Sequence, residues 1–239
     1  MKVIGIDSSG LTASVAILED DCVIAEYSVN HKKTHSQTLV PMLDEISRMT
    51  ELDLSTVDCI AVAKGPGSFT GLRIGSATAK GLGFALNIPI AEVPTTDALA
   101  YNLAGTDKLV CPIMDARRDQ VYTGLYDFSG SEEYGDLNVI LPATALAIEE
   151  IVAKINETGR EVIFLGDGVK VFEDRIKELI TVAFSFAIPG LRLQRASSVA
   201  SLGLKLFKDG KAVSAEKHVP DYLRPSQAER VKSERENED

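Results

Sequence analysis

The chain opens on short apolar runs separated by polar turns. Val3 to Asp7 reads as a buried strand, and Ala13 to Leu18 and Val23 to Val29 as two more, with Asp20-Asp21 turning between the latter pair. From Thr34 the period lengthens: Leu39, Met42, Leu43, Ile46 and Met49 recur at spacings of three and four, which predicts an amphipathic helix. Thr34 followed three residues later by Gln37 predicts a capping box at its start. Cys59 to Ala63 reads as a buried strand, Gly65 to Gly75 as a glycine-rich turn, and the small-residue stretch through Leu86 as a helix. Ile88 to Val93 then predicts a strand and Thr95 to Leu103 a helix.

The pattern starts again at Leu109. Leu109 to Met114, Gln120 to Tyr126 and Asn138 to Leu141 read as strands, with Asp115 to Arg118 as a polar link. Helices are predicted at Ala143 to Asn156 and Val169 to Leu179, separated by the strand Val162 to Leu165. A three-strand opening followed by alternating helices and strands, used twice, describes a duplicated α/β fold with mixed sheets and two lobes meeting at a cleft. The expected divisions are an N-terminal lobe over 1–105, a C-terminal lobe over 106–226 and a tail over 227–239, whose mixed charges and missing apolar face predict fraying.

Composition narrows the function. The 239 residues suffice for a sizeable core, and a net charge of -10 excludes a surface that grips nucleic-acid phosphates unaided. No basic stretch precedes a long apolar region at the N-terminus, and no run of about eighteen apolar residues occurs, so a cytoplasmic protein without a membrane anchor is expected. Cys22, Cys59 and Cys111 each sit in an apolar run typical of a buried strand, which predicts packed thiols rather than a metal site or a nucleophile.

Two stretches carry candidate chemistry. Asp7-Ser8-Ser9 ends the first strand in a carboxylate and two hydroxyls, suited either to a nucleotide phosphate with its metal or to local backbone groups. Lys64-Gly65-Pro66-Gly67-Ser68-Phe69-Thr70-Gly71-Leu72-Arg73-Ile74-Gly75 runs from a strand through glycines and a proline into a helix start. Its backbone N–H groups can face an anion or a close neighbour. It is neither a Walker loop nor GxGxxG in register.

With His35-Ser36-Gln37 running into Leu39-Val40-Pro41, and with Pro220-Asp221-Tyr222-Leu223-Arg224, these motifs resemble the successive signatures of the TsaB (YeaZ) family, in matching order over nearly the whole chain. The resemblance implies an actin/Hsp70/sugar-kinase-like (ASKHA, ribonuclease H-like) fold. It also implies membership of the machinery that attaches threonylcarbamoyl to a tRNA adenosine, as the non-catalytic partner of the TsaD-family transferase. A TsaE-family ATPase would join the complex, and tRNA would be reached through it. No cofactor of its own is implied, ATP or ADP being expected, if at all, at the interface with the partner. The implied interface or nucleotide-proximal residues are Asp7, Ser8, Ser9, His35, Lys64, Gly65, Pro66, Gly67, Ser68, Phe69, Thr70, Gly71, Arg73 and Gly75. The helices after His35 and after the glycine block would pair with their counterparts in the sister subunit. Gly71, Gly75, Ser76, Ala77, Ala79, Gly81 and Gly83 would permit close helix approach there, or packing on the chain's own sheet.

The same resemblance bears on metal. Where the sister subunit has two histidines four residues apart after a strand ending in valine, this chain reads Val93-Pro94-Thr95-Thr96-Asp97-Ala98-Leu99, with threonine and leucine at the ligand positions. Its late-helix aspartate is matched by Arg195-Ala196-Ser197-Ser198-Val199-Ala200, which has no carboxylate. His31 and His35 are four apart, but the helix start at Thr34 and the neighbouring Lys32 and Lys33 argue against a substitute site. Asp115 to Tyr122, with Arg117 and Arg118, falls where this superfamily has its second phosphate-facing turn, and is equally a solvated turn. Gly166-Asp167-Gly168 resembles the adenosine-side turn, a common local sequence elsewhere too. There is no GxSxG, and proteolysis is not expected. The rivals to a partner subunit are a stand-alone ATP-dependent kinase or acyltransferase in which Asp7 positions Mg²⁺, and a homodimer formed when the sister is absent.

Overall fold

The computed structural model describes residues 1–31, 34–129 and 136–224. The tail from 227 and the Lys32-Lys33 pair lie outside the described residues.

The chain builds two five-stranded sheets of identical plan. The first contains β1 (Lys2–Asp7), β2 (Ala13–Glu19), β3 (Cys22–Val29), β4 (Cys59–Gly65) and β5 (Ile90–Pro94), in the order β3-β2-β1-β4-β5. The second contains β6 (Leu109–Asp115), β7 (Gln120–Asp127), β8 (Asn138–Ala147), β9 (Val162–Leu165) and β10 (Phe184–Phe186), in the order β8-β7-β6-β9-β10. In each, the first three strands are antiparallel neighbours and the last two join in parallel. Parallel pairing requires a crossover, supplied by helices at matching places. These are α1 (His35–Met49), α2 (Phe69–Leu86) and α3 (Thr95–Tyr101) in the first half, and α4 (Ile148–Thr158), α5 (Val169–Leu179), α6 (Pro189–Arg192) and α7 (Ala196–Lys208) in the second.

The apolar stripes explain the layers. Leu39, Met42, Leu43 and Ile46 of α1 pack with Ile4, Ile6, Val15 and Val62 of the first sheet. Ile151, Val152 and Ile155 of α4 and Phe172 and Ile176 of α5 do the same against the second. The opposite face of the first sheet is covered by α7, through Val199, Ala200 and Leu204 against Val3, Ala61 and Val93. The second half of the sequence thus returns to the first sheet, and Gly203 permits it: a Cβ there would stand 2.2 Å from that of Ala61.

Three local expectations are corrected. Ala143 to Ala147 is strand, not helix: it pairs with β7 from Thr123↔Thr144 to Gln120↔Ala147, so tertiary pairing overrides the helical propensity of its alanines. Thr34 does precede α1, but its side chain makes no cap hydrogen bond, and its hydroxyl lies 3.2 Å from that of Ser36. Cys22 is exposed because it starts the edge strand β3 at a tight turn, whereas Cys59 and Cys111 are buried, with burial pushing both thiols up to about 12.

Candidate functional site

At the end of β1 the chain makes a turn held by its own side chains. The backbone N–H and hydroxyl of Ser9 donate to Asp7 Oδ1 at 2.9 and 2.6 Å, and Ser8 donates to the Gly71 carbonyl at 2.8 Å. Asp7 is buried, which pushes its carboxyl up to about 6 against the lowering effect of the Ser9 donors and of His35. His35 opens α1 with its Nε2 2.8 Å from the Gly10 carbonyl, tying the helix to the same turn.

The glycine block wraps this turn. A Cβ on Gly67 would approach the Ser9 carbonyl to 2.4 Å, one on Gly71 the Ser8 carbonyl to 2.0 Å, and one on Gly75 the Ser8 hydroxyl to 2.5 Å. Ser68 caps α2 by accepting from Gly71 N, and donates its own N–H to the Ser9 carbonyl at 2.7 Å. Of the two uses open to these glycines, the structure shows the close neighbour, Ser8 and Ser9. Gly75 therefore faces inward, as do Gly71, Ser76, Ala79 and Gly83, while Ala77 and Gly81 face outward.

The block also meets the other family signature. Gly65 has a positive φ of 126°, and a Cβ there would lie 2.2 Å from the Asp221 carbonyl. Asp221 N donates to the Lys64 carbonyl at 2.7 Å, the Gly65–Pro66 peptide is cis, and Tyr222 stacks on Phe69 with centroids 4.6 Å apart. Arg73 covers that Phe69 ring at 4.1 Å, and Thr70 is exposed beside it. Arg224 donates to the Ala116 carbonyl, so the segment from 213 to 224 ties the first lobe to the second lobe's turn.

In that second turn Asp115 accepts from Arg117 N at 2.7 Å and pairs with its guanidinium, and Arg117, Arg118 and Asp119 all have positive φ. Gly166 and Gly168 bring the β9–α5 turn against β6, a Cβ on Gly166 standing 2.2 Å from the Ile113 carbonyl. Asp167 between them has a buried Oδ1 without a partner, and burial with Asp115 nearby pushes its carboxyl up to about 6.

The start of α3, where the sister subunit's histidines would fall, is filled by packing. Thr95, Thr96 and Leu99 are buried, and the buried Tyr126 hydroxyl lies 2.7 Å from Thr96 Oγ1 and 2.8 Å from Asp97 Oδ1. Among the described residues no three His, Cys, Asp or Glu side chains are grouped to hold a metal.

The outer face of α2 carries Ala77, Gly81 and Phe84 to solvent, and Val40 and Met49 are exposed on the two flanks of the buried α1 stripe. Sequence periodicity assigned Leu39, Met42, Leu43 and Ile46 to the core correctly, assigned Met49 to the same stripe although it is exposed at the end of α1, and passed over Val40 and Phe84. The available signal was an apolar residue standing beside a stripe that needs no more.

Two five-stranded sheets of one plan, each opening on a strand that ends in an aspartate, give the duplicated α/β fold of the actin/Hsp70/sugar-kinase class. The family model described as TsaD, tRNA N6-adenosine threonylcarbamoyltransferase, matches residues 23–232. The tRNA threonylcarbamoyladenosine biosynthesis protein TsaB of Bacillus subtilis is 36% identical over 96% of this chain and 96% of its own. The Escherichia coli TsaB is 28% identical over 94% and 95%. YeaZ from Pseudomonas aeruginosa, a solved structure, superposes with a TM-score of 0.78 at 27% identity, covering 93% of this chain and 99% of that one. The chain belongs to the TsaB (YeaZ) family. No helix among the described residues is long and apolar enough to cross a membrane.

Proposed function

We infer that this chain is a non-catalytic subunit in tRNA threonylcarbamoyladenosine biosynthesis, pairing through the outer face of α1 and α2 with a TsaD-family transferase. The observation that carries this reading is the outer stripe of α2: Ala77, Gly81 and Phe84 recur at spacings of four and three and are all exposed, Phe84 to 62%, and the small pair lets another helix approach closely. A TsaE-family ATPase and tRNA join through the complex, consistent with a chain of net charge -10 that cannot hold tRNA by itself. Any ATP or ADP sits at the interface with the partner. In the partner's absence the same face pairs with itself.

The rival, an ATP-using kinase or acyltransferase built on Asp7, needs a free anion site at the N-terminus of α2. Against it stand the Ser68 N–H given to the Ser9 carbonyl, the Gly71 N–H given to the Ser68 hydroxyl, and the Ser9 donors on Asp7 Oδ1, which take up part of that turn's capacity for an anion or a metal. The packed start of α3 supports a chain without the transferase's own metal chemistry.

The test is reconstitution with the cognate TsaD-family and TsaE-family proteins, the threonylcarbamoyl-adenylate synthase, tRNA and ATP, reading modified adenosine. Product that requires this chain, with no ATP turnover by the chain alone, is expected. Undiminished product without it, or turnover abolished by Asp7→Ala, would move the assignment to the rival.

A further inference from the structure

We propose that Arg73 is the charged anchor of the α2 face, a guanidinium held ready for a carboxylate on the docking helix, and the residue by which this chain tells its partner from other apolar helices. The inference rests on the helix-face reading above and adds to it the chemistry that the partner presents.

The sequence places Arg73 in line with that face. Thr70, Arg73, Ala77, Gly81 and Phe84 follow one another at spacings of three, four, four and three, and all are exposed, so a single stripe runs the length of α2. Arg73 stands one turn before Ala77, where the small residues bring a second helix closest. α2 contains no Asp or Glu that could occupy the arginine from its own helix.

The side chain is held in place without being used. Its guanidinium carbon lies 4.1 Å from the Phe69 ring centroid, and Phe69 stacks in turn on Tyr222 with centroids 4.6 Å apart. Tyr222 is 38% exposed, so the stack stands at the surface rather than in the core. A ring against its flat face fixes the plane of a guanidinium and leaves the five N–H donors, which lie in that plane, free. Among the described residues Arg73 makes no hydrogen bond and no ion pair. Arg48, Arg117, Arg160, Arg175 and Arg195, by contrast, each rest on a carboxylate of this chain. With 35 Asp and Glu against 25 Lys and Arg, carboxylates are not what the chain lacks.

A planar fork with its in-plane donors free matches a carboxylate bidentately. When the helices close around it water leaves, and a charge-assisted pair made there contributes more than the same pair in open solvent. An apolar or basic residue opposite Arg73 would leave the guanidinium dehydrated and unpaired, which is how a wrong helix is refused. The net charge of -10 disfavours tRNA phosphate as the occupant.

The experiment is calorimetric titration of the cognate TsaD-family subunit with the full-length parent, Arg73→Gln, Arg73→Glu and Gly81→Arg, each first shown to melt within about 2 °C of the parent. Arg73→Gln is expected to weaken pairing about thirtyfold and to flatten its dependence on salt. Arg73→Glu is expected to weaken it further, and reversal of one acidic residue on the partner's facing helices to arginine should restore binding to Arg73→Glu alone. If Arg73→Gln binds as the parent does while Gly81→Arg does not bind, the anchor is overturned and the helix face stands. Binding unaffected by either substitution overturns both. A loss in Arg73→Glu that no single reversal on the partner restores, or an effect on the tRNA affinity of the complex in place of one on pairing, overturns the carboxylate assignment.

Discussion

The two helix pairs α1/α2 and α4/α5 occupy equivalent places in the duplicated fold, and their inner faces are alike while their outer faces are not. On α4/α5 the outside is laced with ion pairs: Arg175 bridges Glu149 and Glu178, and Lys177 pairs with Glu173, leaving Val171 as an isolated exposed apolar residue. On α1/α2 an Arg48–Glu45 pair stands near the end of α1, but Phe84 is 62% exposed on the α2 stripe it shares with Ala77 and Gly81, and Val40 and Met49 are 57% and 75% exposed on the two flanks of α1. Both pairs bury an aliphatic stripe against their sheet, so folding requires nothing more of either outer face. On the proposed reading the difference serves something outside the fold, a helical partner being what an apolar, small-residue face fits.

The comparison breaks most sharply between two glycines of α2. Gly75→Arg forces a side chain into Ser8 and should cost more than about 4 kcal/mol, read as loss of the cooperative urea transition. Gly81 meets nothing within 4 Å, so Gly81→Arg should leave the melting temperature within about 2 °C. The same substitution, or Phe84→Glu, should weaken pairing with the TsaD-family subunit by more than about a hundredfold, past detection in calorimetric titration.

The buried turn that α2 encloses gives a pH signature. Asp7, held up at about 6 in the folded chain, binds its proton more tightly folded than unfolded, so its contribution to stability is complete in acid and is lost as pH rises through about 6. Relative to the parent, Asp7→Asn should therefore gain about 2 to 3 kcal/mol between about pH 4 and pH 7, followed by urea denaturation at several pH values. The smallest effect belongs to the solvated face: Arg175→Ala should cost under about 1 kcal/mol and leave partner affinity unchanged, since its carboxylates are exposed.

Periodicity in the sequence located nearly every crossover helix and the strands between, because each buries a stripe with a clear repeat. It failed at Ala143 to Ala147, where alanine-rich local preference opposed pairing with β7. It could not place α7, whose small residues pack on a sheet formed nearly two hundred residues earlier, a contact no local window contains. At the site, the glycine block was legible as a turn suited to an anion or to a close neighbour, but not which of the two it meets. Ser8 and Ser9 come from the far end of the lobe, and only the fold shows that Gly75 looks inward and Gly81 outward.

The central claim is that the outer face of α1 and α2 binds the transferase subunit. It is tested most directly by titrating the cognate TsaD-family protein with the parent chain, with Gly81→Arg on α2 and with Val171→Arg on α5, each first shown to fold. The account predicts that Gly81→Arg abolishes measurable binding while Val171→Arg binds as the parent does. Binding that survives Gly81→Arg, or that is lost on Val171→Arg instead, would contradict it.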